Sequence, residues 1–175
     1  MAQMTSAEAA KLLKKLNDEL YTVTYNEEQS KEFLAALGED PETVRPEYDY
    51  SETSAKIDAL EEKIRVLKHT ISVFNTTTVV PQINMTIDQA LVYIPQLTKR
   101  CAKLLAMMTR LPKTRENASG YGRNNAIIDY RYINYDAKMA ESDYYRYKAE
   151  LDKAQLQLDH VNSTVYFTVD DSVLN

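Results

Sequence analysis

The sequence predicts a mainly all-α fold: one domain over residues 1–175, an antiparallel bundle of long helices with coiled-coil-like seams plus a short two-stranded β-hairpin. Three observations lead to it. Only three glycines and five prolines occur in 175 residues, and long helices need few chain breakers. Four stretches repeat apolar residues at alternating spacings of four and three, as helices do when they pack side by side. Two Thr-x-x-Glu/Gln sequences stand ahead of such stretches, where each can satisfy the free backbone donors of a helix start.

Taken in order, Thr5 with Glu8 opens a helix over about 6–37. Its seam runs Ala9, Leu13, Leu16, Leu20, Val23, then polar Glu27 and Ser30, then Leu34 and Leu37, with Gly38 as the stop. The polar interruption marks a place where the helix sets its register, bends or loses its partner. Residues 39–50 read as an acidic loop with two prolines. A second helix, about 52–74, carries the cleanest seam: Ile57, Leu60, Ile64, Leu67, Ile71 and Phe74. The β-branched run that follows, over 76–80, reads as a short edge strand or connector that Pro81 keeps out of a sheet interior.

Thr86 with Gln89 opens a third helix, about 87–111, whose seam is Ala90, Ile94, Leu97, Cys101, Leu104, Met108 and Leu111. Pro95 removes one backbone bond inside it, which predicts a kink near Leu91. Residues 113–125 read as a loop or hairpin tip. The alternation of Ile128, Tyr130 and Tyr132 with Asp129 and Arg131 predicts a strand over about 126–133, paired with 76–80 and lying on the helices. A last helix, about 135–162, has the seam Ala140, Tyr144, Tyr147, Leu151, Ala154, Leu158 and Val161. The tail around Val165–Val169 reads as a strand or a docking segment.

Composition bounds the function. No basic head with an apolar run opens the chain and no stretch approaches a membrane span, so a cytoplasmic location is expected and a membrane partner is not. Residues 1–62 carry fifteen acidic and six basic side chains, whereas residues 99–131 carry two acidic and eight basic. Opposite regions of one chain can attract each other, within the molecule or between copies. The overall charge of −5 argues against nucleic acid as the partner.

Chemistry is thinly supplied. His69 and His160 lie off the seams with no second ligand a turn away, Cys101 sits on an apolar seam, and no carboxylates form a cation-sharing pair across helices. No catalytic residues, metal ligands or cofactor are expected, and the chain reads as a non-enzyme. Lys113, Arg115, Arg123 and Arg131 form a candidate site for an anion, a nucleic acid or an acidic protein surface. Tyr130, Tyr132, Tyr144, Tyr145 and Tyr147 are candidate interface residues, since tyrosine offers apolar area with a polar end. The expected role is that of a structural or interaction protein whose first partner is itself, as a homo-oligomer.

Three segments carry a resemblance. Ile71-Ser72-Val73-Phe74-Asn75-Thr76-Thr77-Thr78 resembles an Ile-x-x-Ile-Asn-x-Thr-Asn stretch. Met85-Thr86-Ile87-Asp88-Gln89-Ala90-Leu91 resembles a Leu-Thr-Glu-Ala-Leu helix start, and Leu151 to Asn162 a closing helix. Together they resemble the septicolysin family of bacterial helical proteins. The sequence departs from that pattern at Phe74, at Thr77-Thr78 and in lacking a tryptophan after Asn162. The resemblance implies a long-helix fold with a small strand element and self-assembly. The family name adds a lysin-associated, toxin-like role as an alternative.

Overall fold

The computed structural model describes residues 1–116 and 129–174. The chain is mainly helical. Four long helices account for most of it: α1 (Ser6–Ser30), α3 (Tyr50–Thr77), α4 (Ile87–Met108) and α5 (Ala137–Thr164). A short α2 (Pro41–Val44) lies between the first two. Among the described residues six short strands pair two by two: β1 (Ala2–Thr5) with β6 (Tyr166–Val169), β2 (Val79–Val80) with β3 (Met85–Thr86), and β4 (Lys113–Arg115) with β5 (Tyr130–Tyr132). All three pairs are antiparallel.

The helices associate as two hairpins, α1 with α3 and α4 with α5. The core lies in three clusters along the molecule. Ala9 and Leu16 of α1 pack on Leu60, Ile64 and Leu67 of α3, and Met4 and Val169 of the terminal strands, with Val173 from the short 3-10 turn after them, close that cluster. At the waist, Phe74, Val80, Ile87, Ala90, Leu158 and Val161 join α3, β2, α4 and α5. Farther along the second hairpin, Leu97 and Cys101 meet Leu151, with Tyr144 and Tyr147 half-buried against them.

The two hairpins repeat one plan. Thr5 and Thr86 both form reciprocal capping boxes, with Glu8 and Gln89, and each follows a methionine. Ala9 then corresponds to Ala90 and Leu16 to Leu97, all four buried. In the second helices Ile64 corresponds to Leu151, Leu67 to Ala154 and Phe74 to Val161. Asn75-Thr76-Thr77 corresponds to Asn162-Ser163-Thr164, and each helix stops at its threonine. The strand registers agree as well: Val79↔Thr86 and Val80↔Met85 mirror Tyr166↔Thr5 and Phe167↔Met4. Each ladder therefore takes one strand from each half. Between β2 and β3 the chain reverses within Pro81–Asn84, helped by left-handed backbone at Gln82 and Asn84.

Several sequence expectations need correction. The first helix ends at Ser30, and Leu34 and Leu37 beyond it are fully exposed although they keep the seam's spacing. There α3 has not begun, so no partner exists to bury them. Gly38 does adopt a left-handed conformation, but in the following turn rather than at the helix end. Residues 75–77 belong to α3, and the strand that follows pairs with β3 instead of residues 126–133. The strand at Tyr130–Tyr132 pairs with Lys113–Arg115, and every residue of that pair is exposed rather than laid on the helices. Residues 126–128 lie outside the described residues. Helix α4, which contains Pro95, stops at Met108 instead of reaching residue 111, and Thr109 caps it.

Candidate functional site

The basic residues proposed as a site are divided by the pleat of the β4–β5 ladder. Successive strand residues point to opposite faces. Lys113 and Arg115 share a face with Tyr130 and Tyr132, whereas Arg131 shares the other with Thr114. On the first face the Lys113 ammonium sits 3.9 Å from the Tyr130 ring centre and 5.4 Å from that of Tyr132, a cation–π arrangement. On the second, Arg131 binds Glu116 through two nitrogens at 2.8 and 2.9 Å. That fork holds the Glu116 carboxyl below its usual range, by hydrogen bond first and charge second. Arg131 is thus committed to an internal carboxylate, beside an open cleft of about 430 Å³ lined by Arg110, Glu116 and Tyr132. Arg123 lies outside the described residues.

The tyrosines also separate. Tyr130 and Tyr132 are exposed on β5, and Tyr145 is exposed on α5 with its ring edge-on to Tyr144. Tyr144 and Tyr147 pack into the α4–α5 core, where Arg100 and Arg146 cover the Tyr147 ring at 4.4 and 4.6 Å. Tyr135 donates to the Met107 carbonyl at 2.8 Å and ties the start of α5 to the end of α4. Of the five candidate tyrosines, Tyr130, Tyr132 and Tyr145 are the exposed ones.

Tyr93, which the sequence reading passed over, donates its hydroxyl to Glu150 across the second hairpin. That bond, more than burial, pushes the phenol from 10.0 up to about 12. Its folded value exceeds the unfolded one, so the bond stabilises below pH 10 and its contribution disappears as pH rises through about 12. Tyr93→Phe should cost about 0.5 kcal/mol at neutral pH, the partners being largely exposed. In denaturant melts, the gap to the parent protein should close as pH rises above 10.

At the far end of the first hairpin, Tyr48 donates to Glu27 at 2.9 Å within an open cleft of about 390 Å³. Glu47, Asp49 and Glu52 line it with Lys56. Residues 27–52 carry nine carboxylates and two bases, and residues 99–116 six bases and one carboxylate. The two hairpin tips are therefore oppositely charged. Among the described residues no cluster of three metal-binding side chains occurs, and none of the helices is long and apolar enough to cross a membrane.

The described residues thus form a pair of helical hairpins joined by exchanged strands, with side chains presented along two-helix layers. No protein-family model and no curated protein matches the chain. In structure it is similar to a functionally unknown conserved protein from Corynebacterium diphtheriae, with a TM-score of 0.61 and 16% sequence identity. The match covers 95% of this chain and 100% of that one, so the fold is shared over essentially its full length.

Proposed function

We propose that this chain is an oligomeric protein-interaction module, with its hairpins completing a long-helix bundle only when another copy or partner is added. One observation carries the reading. The chain exposes 13072 Å². A compact monomer of 20.1 kDa is expected to expose about 8,700 Å². Two-helix layers, in which each helix has one covered face and the opposite face open, contribute to that excess. A standard protein–protein interface needs only about 800 Å² from each partner, so the surface is ample. The self-assembly implied by the septicolysin resemblance points the same way.

The test is the solution mass, by light scattering coupled to size exclusion at 50 and 500 mM salt. The expected result is a defined oligomer. A monomer at both salts across micromolar concentrations overturns self-assembly and leaves a different protein as the partner.

A further inference from the structure

The two repeated halves, residues 2–80 and 85–173, are linked along the chain by residues 81–84 alone. Beyond that link they are held by contact. The β1–β6 and β2–β3 ladders both cross from one half to the other, and Phe74 stacks on Phe167 with ring centres 4.5 Å apart. Val169 and Val173 of the second half cover the α1–α3 core of the first. Within each half the helices pack on each other, Ala9 and Leu16 on Leu60 and Ile64, and Leu97 and Cys101 on Leu151. The halves can therefore part while each hairpin keeps contacts of its own.

The link is the strained part of this arrangement. Gln82 and Asn84 adopt φ of 64° and 55°, the left-handed region that glycine enters freely and that other residues enter at a cost. Two backbone bonds close the turn, from Ile83 N–H to the Pro81 carbonyl at 2.8 Å and from Asn84 N–H to the Val80 carbonyl at 3.2 Å. The ladder beside it does not need that turn. Tyr166↔Thr5 and Phe167↔Met4 repeat the register of Val79↔Thr86 and Val80↔Met85 and continue through Thr168↔Gln3 and Val169↔Ala2. The molecule thus holds one strand pairing with a connecting turn and its equivalent without one, and the unconnected ladder is the longer.

Deepening the oligomeric reading above, on which it rests, we infer that the partner is a second copy of this chain and that the two copies exchange halves. The link opens, and residues 2–80 of each chain close on residues 85–173 of the other. Both ladders, the Phe74–Phe167 stack and the cover provided by Val169 and Val173 re-form between chains. Apart from the entropy of bringing two chains together, the closed and exchanged forms differ in the link, so the link sets the balance between them. Opening frees Gln82 and Asn84 from the left-handed region, and gives up two turn bonds and the half-buried position of Ile83. Val79, Val80 and Ile83 are β-branched and favour extended backbone, and Pro81 holds Val80 extended in both forms. Reciprocal exchange is complete at two chains and presents each exposed surface of the molecule twice.

Gln3→Cys combined with Thr168→Cys in the full chain tests this. The two residues are exposed partners in the β1–β6 ladder, at a separation a disulfide can bridge, and the native Cys101 is buried. The variant is refolded from urea under reducing conditions at low and high protein concentration, oxidised, sized by sedimentation and run on a denaturing gel without reductant. Exchange gives a dimer whose chains stay joined on the gel and separate when reduced. An oligomer whose chains run singly, each closed on itself, overturns the exchange while the oligomeric reading stands. A monomer at both concentrations overturns both. Gln82→Gly with Asn84→Gly reads the link without added cysteines. It lets the turn close freely and should raise the dissociation constant of the dimer about 25-fold, roughly fivefold for each of the two turns. An unchanged dissociation constant overturns the link as the place where exchange is decided.

Discussion

Phe74→Ala is expected to destabilise the protein by about 3–4 kcal/mol, within the range for truncating a buried aromatic. Phe74 sits where the two hairpins meet. Its ring stacks on Phe167 with centroids 4.5 Å apart, and Val80, Ile87, Ala90, Leu158 and Val161 complete the cluster. The substitution removes the transfer energy of the ring, leaves a cavity bounded by helices that cannot close in, and costs an aromatic pair of about 0.5–1.5 kcal/mol. Urea unfolding measures it. A loss below about 1 kcal/mol would show that the waist is held by the strand ladders and not by this core.

Removal of residues 165–175 is expected to cost more than about 4 kcal/mol. Val169 and Val173 are 0% and 2% exposed, and each contributes about 1.5–2 kcal/mol by burial. The four-residue ladder with β1 goes with them. A loss of that size approaches the whole stability of many domains. It should fall unevenly. Val169 and Val173 belong to the cluster between α1 and α3, whereas Leu97, Cys101 and Leu151 form their own. Hydrogen exchange should show α1 and α3 losing protection while the outer half of α4–α5 keeps it. Uniform loss would mean that the hairpins unfold as one unit, and unchanged protection would remove β6 from the account of stability.

Local chemistry in this chain was legible, and the presence of a neighbour was not. Both capping boxes form as their spacing requires, because a cap depends on four consecutive residues. The seams of α3 and α5 bury most of the residues whose spacing singled them out and half-bury Ile57, Ile71, Tyr144 and Tyr147. Leu34 and Leu37 mark the boundary of that method: periodicity says which face would be covered, and only the start of α3 at Tyr50 says that nothing covers it. The strands failed for a related reason. A two-residue ladder carries too little pattern to name its partner, and Val79-Val80 pairs across a tight turn with Met85-Thr86.

At the candidate site, the pleat that parts Arg131 from Lys113 and Arg115 follows from a register that the sequence does not print. The Arg131–Glu116 fork joins residues too far apart along the chain for spacing to suggest it. The repeat, by contrast, left a readable trace. Met4-Thr5 recurs at Met85-Thr86 and Asn75-Thr76-Thr77 at Asn162-Ser163-Thr164. In the first helices Ala9 and Leu16 recur as Ala90 and Leu97, but the second helices keep apolarity and not identity, with Leu67 answered by Ala154 and Phe74 by Val161.

The crossed strands also impose a schedule on synthesis. β1 leaves the ribosome before the helices, yet its partner β6 arrives only after both helical hairpins have been made. The α4–α5 core around Leu97, Cys101 and Leu151 uses none of the terminal segments and can form as soon as α5 emerges. The α1–α3 core must wait for Val169 and Val173 to cover Met4 and its neighbours. During that interval Ala9, Leu16 and Leu60 are the apolar surface the nascent chain offers to a chaperone. The half of the protein translated first is the half that finishes folding last.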